Sequence, residues 1–307
     1  MITNNELASA VSCLKAGKLI VLPTETVYAL AGDATNLNAI LQIFSLKRRP
    51  LNQPLSVLLA KEHPMTRWAR DIPEVAEKLA ERFWPGPLTL ILKKEKTVLP
   101  ELTGGQHKIG LRVPDHPIAQ AVLSSFARGV AAPSANRSTA LSPTHIKHVR
   151  AEFDQPLEWM IDGGPCRIGI ESTIIDVTFT IPRILRLGAL PLAKIASITP
   201  YEIEKSTSPS CFSKKPLITQ VPKQVLDEVI DTHLNHYQPL TVFAFSPAKK
   251  KHKNVTWIQM PSEASRYGQQ LYHYLHQSKA MHHRILVEAV PKRNHWAGIQ
   301  FILDQYS

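Results

Sequence analysis

Two short strings near the start of this 307-residue chain bring hydroxyls and cations together. Pro23-Thr24-Glu25-Thr26-Val27-Tyr28-Ala29-Leu30 leaves the apolar run Leu19-Ile20-Val21-Leu22 through a proline, with two threonines at alternate positions. On an extended backbone both hydroxyls would point to one face. About a helix later, Lys47-Arg48-Arg49-Pro50 ends an amphipathic segment in cations and stops it with a proline. Hydroxyls facing clustered cations suit a polyanion with a small polar co-substrate. Pro23-Thr24-Glu25-Thr26 also has the form of a helix N-terminus, a threonine cap before an acidic first turn. Matching pieces farther along the chain favour the site.

Lys108-Ile109-Gly110-Leu111-Arg112 puts Lys108, Gly110 and Arg112 on one face of a predicted strand. Two cations flanking a bare backbone leave room for a flat or charged ligand; a solvated edge strand would read the same way. Ala132-Pro133-Ser134-Ala135-Asn136-Arg137-Ser138 leaves an apolar run into small residues, and Ser134 and Asn136 can bond phosphate or ribose hydroxyls. Asp162-Gly163-Gly164-Pro165 reads as a mobile loop brought up to Gly169-Ile170-Glu171-Ser172-Thr173-Ile174, and Arg186 closes a later strand. Trp84-Pro85-Gly86-Pro87 reads as a structural turn. Most of these cations and hydroxyls fall at the ends of strands, where open α/β sheets bind ligands.

The elements that must position them alternate. Strands are expected at Leu19–Pro23, Leu55–Ala60, Leu88–Lys93, Lys108–Val113, Val130–Pro133, Trp159–Ile161, Ser172–Val177 and Ile184–Leu187. Helices are expected around Asn36–Leu46, Pro73–Phe83, Pro117–Ala127 and Pro143–Phe153. This alternation predicts an α/β domain with a largely buried sheet over residues 1–200. Polar residues 201–216 read as a linker, and a second alternation over 217–307 as a smaller α/β unit. Its run Lys249-Lys250-Lys251-His252-Lys253 reads as a solvated loop.

Composition bounds the function. A net charge of +11, with 36 Lys/Arg against 25 Asp/Glu, points to anionic partners: nucleotide, nucleic acid, or both. Cys13, Cys166 and Cys211 lie far apart, which argues against a disulfide framework or zinc site and fits a reducing cytoplasm. The 13 histidines look scattered and mostly superficial. No run reaches the length of a membrane span, and the N-terminus reads as an amphipathic helix with Leu7, Ala10, Val11 and Leu14 on one face.

The ordered set PTETVYAL, KRRPLNQPLSVLL, WPGPLTLIL, GLRVP, APSANRS, SPTHI, GIESTIIDV and LRLG resembles the threonylcarbamoyl-AMP synthase family, whose catalytic unit is YrdC-like. Residues 262–307 resemble the small carboxy-terminal domain of its two-domain members. The resemblance implies a twisted, largely buried sheet with flanking helices, linked to a smaller Rossmann-like α/β domain. It implies the joining of L-threonine, bicarbonate and ATP into threonylcarbamoyl-AMP and pyrophosphate, for threonylcarbamoyladenosine modification of tRNA.

By that resemblance Thr26, Arg112, Ser172 and the backbone at Ala132 hold threonine, with Arg112 forking its carboxylate. Lys47 and Arg49 are the catalytic cations at the phosphates. Gln53, Lys108, Ser134, Asn136, Ser142 and Arg186 are further ATP contacts. Mg2+ would arrive bound mainly through the ATP phosphates, without a protein cage. A carbamate attacking the α-phosphorus needs charge neutralisation and in-line placement more than a protein nucleophile. Implied partners are tRNA or double-stranded RNA and the downstream threonylcarbamoyl-transferase machinery, in the cytoplasm and away from membranes. The chain departs from the family pattern at Gln53, at Leu58 and at Ser208-Pro209-Ser210-Cys211-Phe212-Ser213, where relatives carry asparagine, histidine and a site-covering Ser-Pro-Gly segment. The rival readings are a non-catalytic tRNA- or double-stranded-RNA-binding module and a carbamoyl-phosphate-using maturation enzyme. No acylphosphatase-like or zinc-finger segment supports the latter.

Overall fold

A computed structural model describes residues 2–153, 157, 159–204, 218–235, 239–249 and 251–307. Thr3 starts α1 (Asn4–Lys15) with a capping box closed by Glu6. There follow β1 (Ile20–Leu22), β2 (Ala29–Asp33), α2 (Leu37–Lys47), β3 (Ser56–Leu58), α3 (Glu74–Phe83), β4 (Leu88–Lys93) and β5 (Lys108–Arg112). Then come α4 (Pro117–Phe126), β6 (Val130–Ala131), α5 (Ile146–Glu152), β7 (Trp159–Met160), β8 (Thr173–Asp176), β9 (Arg183–Arg186), α6 (Leu192–Ala196) and β10 (Glu202–Ile203). These strands form one mixed sheet in the order β10-β9-β8-β4-β5-β3-β6-β2-β1-β7.

Alternation along β1 divides the core. Val21 packs with α2 residues such as Ile40 and Ile43, whereas Ile20 and Leu22 pack with α1 and α4 residues such as Leu14 and Val122. Helices therefore cover both faces, and the central strands β1, β2, β3, β5 and β6 are buried nearly throughout, whereas β7, β9 and β10 toward the edges are not. The sequence reading missed β2. Its Ala-Leu-Ala-Gly-Asp run lacks β-branched residues, and its glycine is there for packing. A side-chain carbon on Gly32 would come within 2.7 Å of Leu19 Cδ2.

The second unit contains β11 (Ile218–Val221), α7 (Leu226–Leu234), β12 (Leu240–Ala244), β13 (Val255–Gln259), α8 (Ala264–Ala280), β14 (Arg284–Glu288) and α9 (Ala297–Tyr306). Its sheet runs β11-β14-β12-β13, with parallel pairing throughout. Of the expected linker, Glu202–Ile203 pairs with β9 as β10. The segment Ser208–Ser213 lies outside the described residues. No helix among the described residues is long and apolar enough to cross a membrane.

The two units share a core in which Leu141 and Ile170 pack with Tyr267, Leu271 and Tyr272 of α8. Gly298 lies so near the Gly188 carbonyl that any side chain there would collide with it. Four of the 13 histidines, expected to lie mostly at the surface, gather at this contact. His145 and His148 meet His273 and His276, and the His148 and His276 rings stack at 4.0 Å. The available signal was i,i+3 spacing, from the N-cap into α5 for one pair and within α8 for the other.

Burial pushes His148 down to about 2, with the charges of His276, His145, His273 and Lys147 adding to it. Burial brings His276 down to about 4, opposed by its bond to the Ser142 carbonyl and assisted by Lys279, His273 and His145. Between those values and the ordinary value of about 6.5, the folded state binds fewer protons than the unfolded state. Stability is thus fully present above that pH and falls as the solution is acidified. The melting temperature should drop by at least about 2 °C between pH 7 and pH 5, and His148→Asn should flatten that slope. A melting profile equally steep in the variant would remove His148 as the cause.

Candidate active site

The PTET segment bends where an extended strand was expected. Thr24 Oγ1 accepts from the Thr26 and Val27 amides at 3.2 Å each and donates to the Val27 carbonyl at 2.6 Å. A threonine side chain that bonds its own backbone competes with strand pairing. The turn still brings the two hydroxyls together, at 3.0 Å, and aims Thr26 at Arg112.

Arg112, the last residue of β5, is 7 % exposed, and Glu25 is fully buried. Arg112 Nη2 donates to Glu25 Oε1 at 2.6 Å and to Thr26 Oγ1 at 3.0 Å, and Nε donates to the Gly86 carbonyl at 3.2 Å. Nη1 is the part of this guanidinium with no partner among the described residues. Glu25 therefore occupies much of the fork that sequence reading assigned to a ligand carboxylate. Glu25 Oε2 has no hydrogen-bond partner among the described residues.

These groups open onto a cleft of about 190 Å³ whose walls include Thr26, Arg49, Arg112, Ala132, Ser134, Ser172 and Arg186. Arg186 Nε and Nη2 bond the Ser172 carbonyl and hydroxyl at 3.0 and 2.9 Å, and that hydroxyl lies 2.8 Å from Thr89 Oγ1. Arg49 braces the turn after α2 through the Gln53 and Pro54 carbonyls, at 3.2 and 3.0 Å. Ser56, Thr89 and Glu171 also line the cleft, and the sequence reading gave none of them a role. For Glu171 the signal was its place next to Ser172; for Ser56 and Thr89 it was position in the first two residues of a strand. Leu58 supplies an apolar wall.

Five candidates stand outside that lining. Lys47 is 2 % exposed, and its ammonium donates to the Ser134 and Asn136 carbonyls, fastening the loop that carries Ser134. Burial, reinforced by the Arg49 charge, lowers it to about 7. Lys108 pairs with Asp176 at 2.7 Å and sits 4.2 Å from the Phe179 ring centre. Asn136 donates Nδ2 to the Ala140 carbonyl at 2.7 Å, Ser142 donates to Glu171 Oε1 at 2.6 Å, and Gln53 contributes its carbonyl to Arg49. The Asp162–Pro165 loop, expected to be mobile, is pinned by Tyr28: its hydroxyl donates to the Gly164 carbonyl at 2.7 Å and accepts from the Gly163 amide at 3.0 Å.

The cleft therefore presents three guanidinium groups and a row of hydroxyls, with neither histidine nor cysteine on its walls. Such a surface can hold and orient a phosphate chain beside a small polar molecule and neutralise developing charge. Among the described residues no group of three or more His, Cys, Asp or Glu is placed to hold a metal ion.

A family model described as Sua5_yciO_yrdC, telomere recombination, matches residues 12–188. A threonylcarbamoyl-AMP synthase of Pyrococcus abyssi is 46% identical over 189 residues, covering 62% of this chain and 56% of that protein. The match thus spans about half of that relative. A threonylcarbamoyl-AMP synthase of Bacillus subtilis is 35% identical over 249 residues, covering 80% and 69% respectively. The crystal structure of P. abyssi Sua5 complexed with L-threonine superposes with a TM-score of 0.91 at 32% identity, covering 100% of this chain and 95% of that one.

Proposed function

The chain belongs to the Sua5/YciO/YrdC family, and on that premise we propose that it is an ATP-dependent L-threonylcarbamoyladenylate synthase. The observation that carries the reading is the convergence of Arg49, Arg112 and Arg186 with Thr26, Ser134 and Ser172 on one cleft.

Threonine binds at the Thr26–Arg112–Ser172 end, its carboxylate meeting Arg112 at Nη1. The nucleotide lies toward Arg49, Ser134 and Arg186, where guanidinium groups neutralise the triphosphate. Threonine's amine and bicarbonate condense to the carbamate with loss of one water, and a carbamate oxygen attacks the α-phosphorus of ATP; the bond to the bridging oxygen breaks, and pyrophosphate leaves with the electron pair. Fixed cations and in-line placement supply the acceleration. Mg2+ travels with the phosphates, which suits a cleft whose single carboxylate, Glu171, already accepts two hydroxyl bonds. The product serves threonylcarbamoyladenosine formation in tRNA through a downstream transferase, and the cytoplasm is the proposed compartment. The net charge of +11 favours contact with tRNA or double-stranded RNA.

Pyrophosphate release with each substrate omitted in turn tests the reading. Release is expected only with threonine, bicarbonate and ATP together. Equal release without threonine would reduce the activity to ATP hydrolysis, and RNA binding with no release would leave a binding module.

Lys47 adds a pH signature. With the free ammonium near 7, a triphosphate brought close to it favours the charged form. ATP binding at pH 8 should therefore take up a fraction of a proton, and affinity should decline as pH rises above 7. Calorimetry in buffers of different ionisation enthalpy measures this uptake. Zero uptake would separate Lys47 from the phosphates.

A further inference from the structure

The carboxy-terminal unit reaches Glu171, a residue of the cleft wall, through α8. Tyr272 of α8 is 1 % exposed, and its hydroxyl donates to Glu171 Oε1 at 2.8 Å. The same oxygen accepts from Ser142 at 2.6 Å. One turn farther along α8, His276 Nε2 lies 3.1 Å from the Ser142 carbonyl. Residues four apart on a helix share a face, so one face of α8 grips both members of the Ser142–Glu171 pair. Glu171 in turn lines the cleft beside Ser172 and Arg186.

We propose that Tyr272 is a positioning residue for synthesis, fixing the Glu171 carboxylate in the cleft from the carboxy-terminal unit. The proposal rests on the synthase reading above. Glu171 shares the cleft wall with three guanidinium groups, and its charge acts on that of Arg186. Left free, it would swing onto one of them and cancel charge intended for phosphate. Two hydroxyl donors on Oε1 hold it back, and a bond to a charged acceptor is stronger than one between neutral groups. The carboxy-terminal unit thereby completes the catalytic cleft without touching substrate.

A kinetic double-mutant cycle on the full chain tests this. Tyr272→Phe keeps the buried ring and removes only the hydroxyl. It should lower kcat about tenfold while leaving the KM for threonine within about twofold, the scale of one lost charge-assisted bond. Glu171→Gln should lower kcat as well, and in that background Tyr272→Phe should cost little more. Tyr267→Phe is the control: Tyr267 lies on the same helix, is equally buried, and has a hydroxyl with no partner among the described residues. It should keep wild-type kcat. An undiminished kcat in Tyr272→Phe, the same loss with and without Glu171, or an equal loss in Tyr267→Phe would overturn the inference. Wild-type protein that releases no pyrophosphate would instead sink the synthase reading and this inference with it.

Discussion

Arg112→Ala is expected to cost about 3–5 kcal/mol of folding stability and to remove synthesis, because it strands Glu25 as a buried, unpaired charge. Glu25 is fully buried, and its one bonded oxygen meets Arg112. Arg112→Lys should lose nearly as much. A single ammonium cannot serve Glu25, Thr26 and the Gly86 carbonyl together from the geometry that the planar guanidinium uses. The companion change Glu25→Gln removes the stranded charge, so the double variant Glu25→Gln/Arg112→Met should recover much of the stability and none of the activity. Urea unfolding and pyrophosphate release, measured on the same preparations, separate the two effects. A loss below about 1 kcal/mol in Arg112→Ala would show that the pair is solvated and structurally idle.

Lys47→Met should lower kcat/KM by about 30- to 1,000-fold, the equivalent of roughly 2–4 kcal/mol of transition-state stabilisation. It should also destabilise the fold. Its ammonium serves two backbone carbonyls of the 134–136 loop, and each buried acceptor left without a donor costs about 1–3 kcal/mol. A catalytic role alone predicts loss of turnover with the fold intact; burial of the side chain adds the second effect. Lys47→Arg should not rescue, since the closed space around Nζ has no room for a planar fork. Wild-type rates in Lys47→Met would end the catalytic assignment, and unchanged unfolding would end the loop-anchoring one.

Strong local signals made most elements legible. β4 falls on the run Leu88–Lys93 that the sequence marks, and α3 and α4 start where prolines permit and end within a residue or two of expectation. The elements missed were short: β2, held between neighbouring strands, β10, two residues added to the edge of β9, and the five-residue helix α6. None of the three carries a periodic pattern long enough to read.

Among site residues the division is similar. Residue type and order marked Thr26, Arg49, Arg112, Ser134, Ser172 and Arg186, because hydroxyls and cations at strand ends are a local statement. Which of them would share a cleft was not local. Lys108 and Arg112 occupy the same strand face by sequence, yet Asp176 draws Lys108 to a separate ion pair. Glu171, between Ile170 and Ser172, carried no role by sequence, and it gained one only when Ser142 and Tyr272 converged on it from 29 and 101 residues away. The sequence by itself determined the element types, the family pattern and the chemical character of the site, since propensity, periodicity and side-chain chemistry act over a few neighbouring residues. Only the tertiary structure decided which charges face the ligand and which are consumed by buried partners, because charge pairing depends on distance and desolvation between segments that the chain order keeps apart.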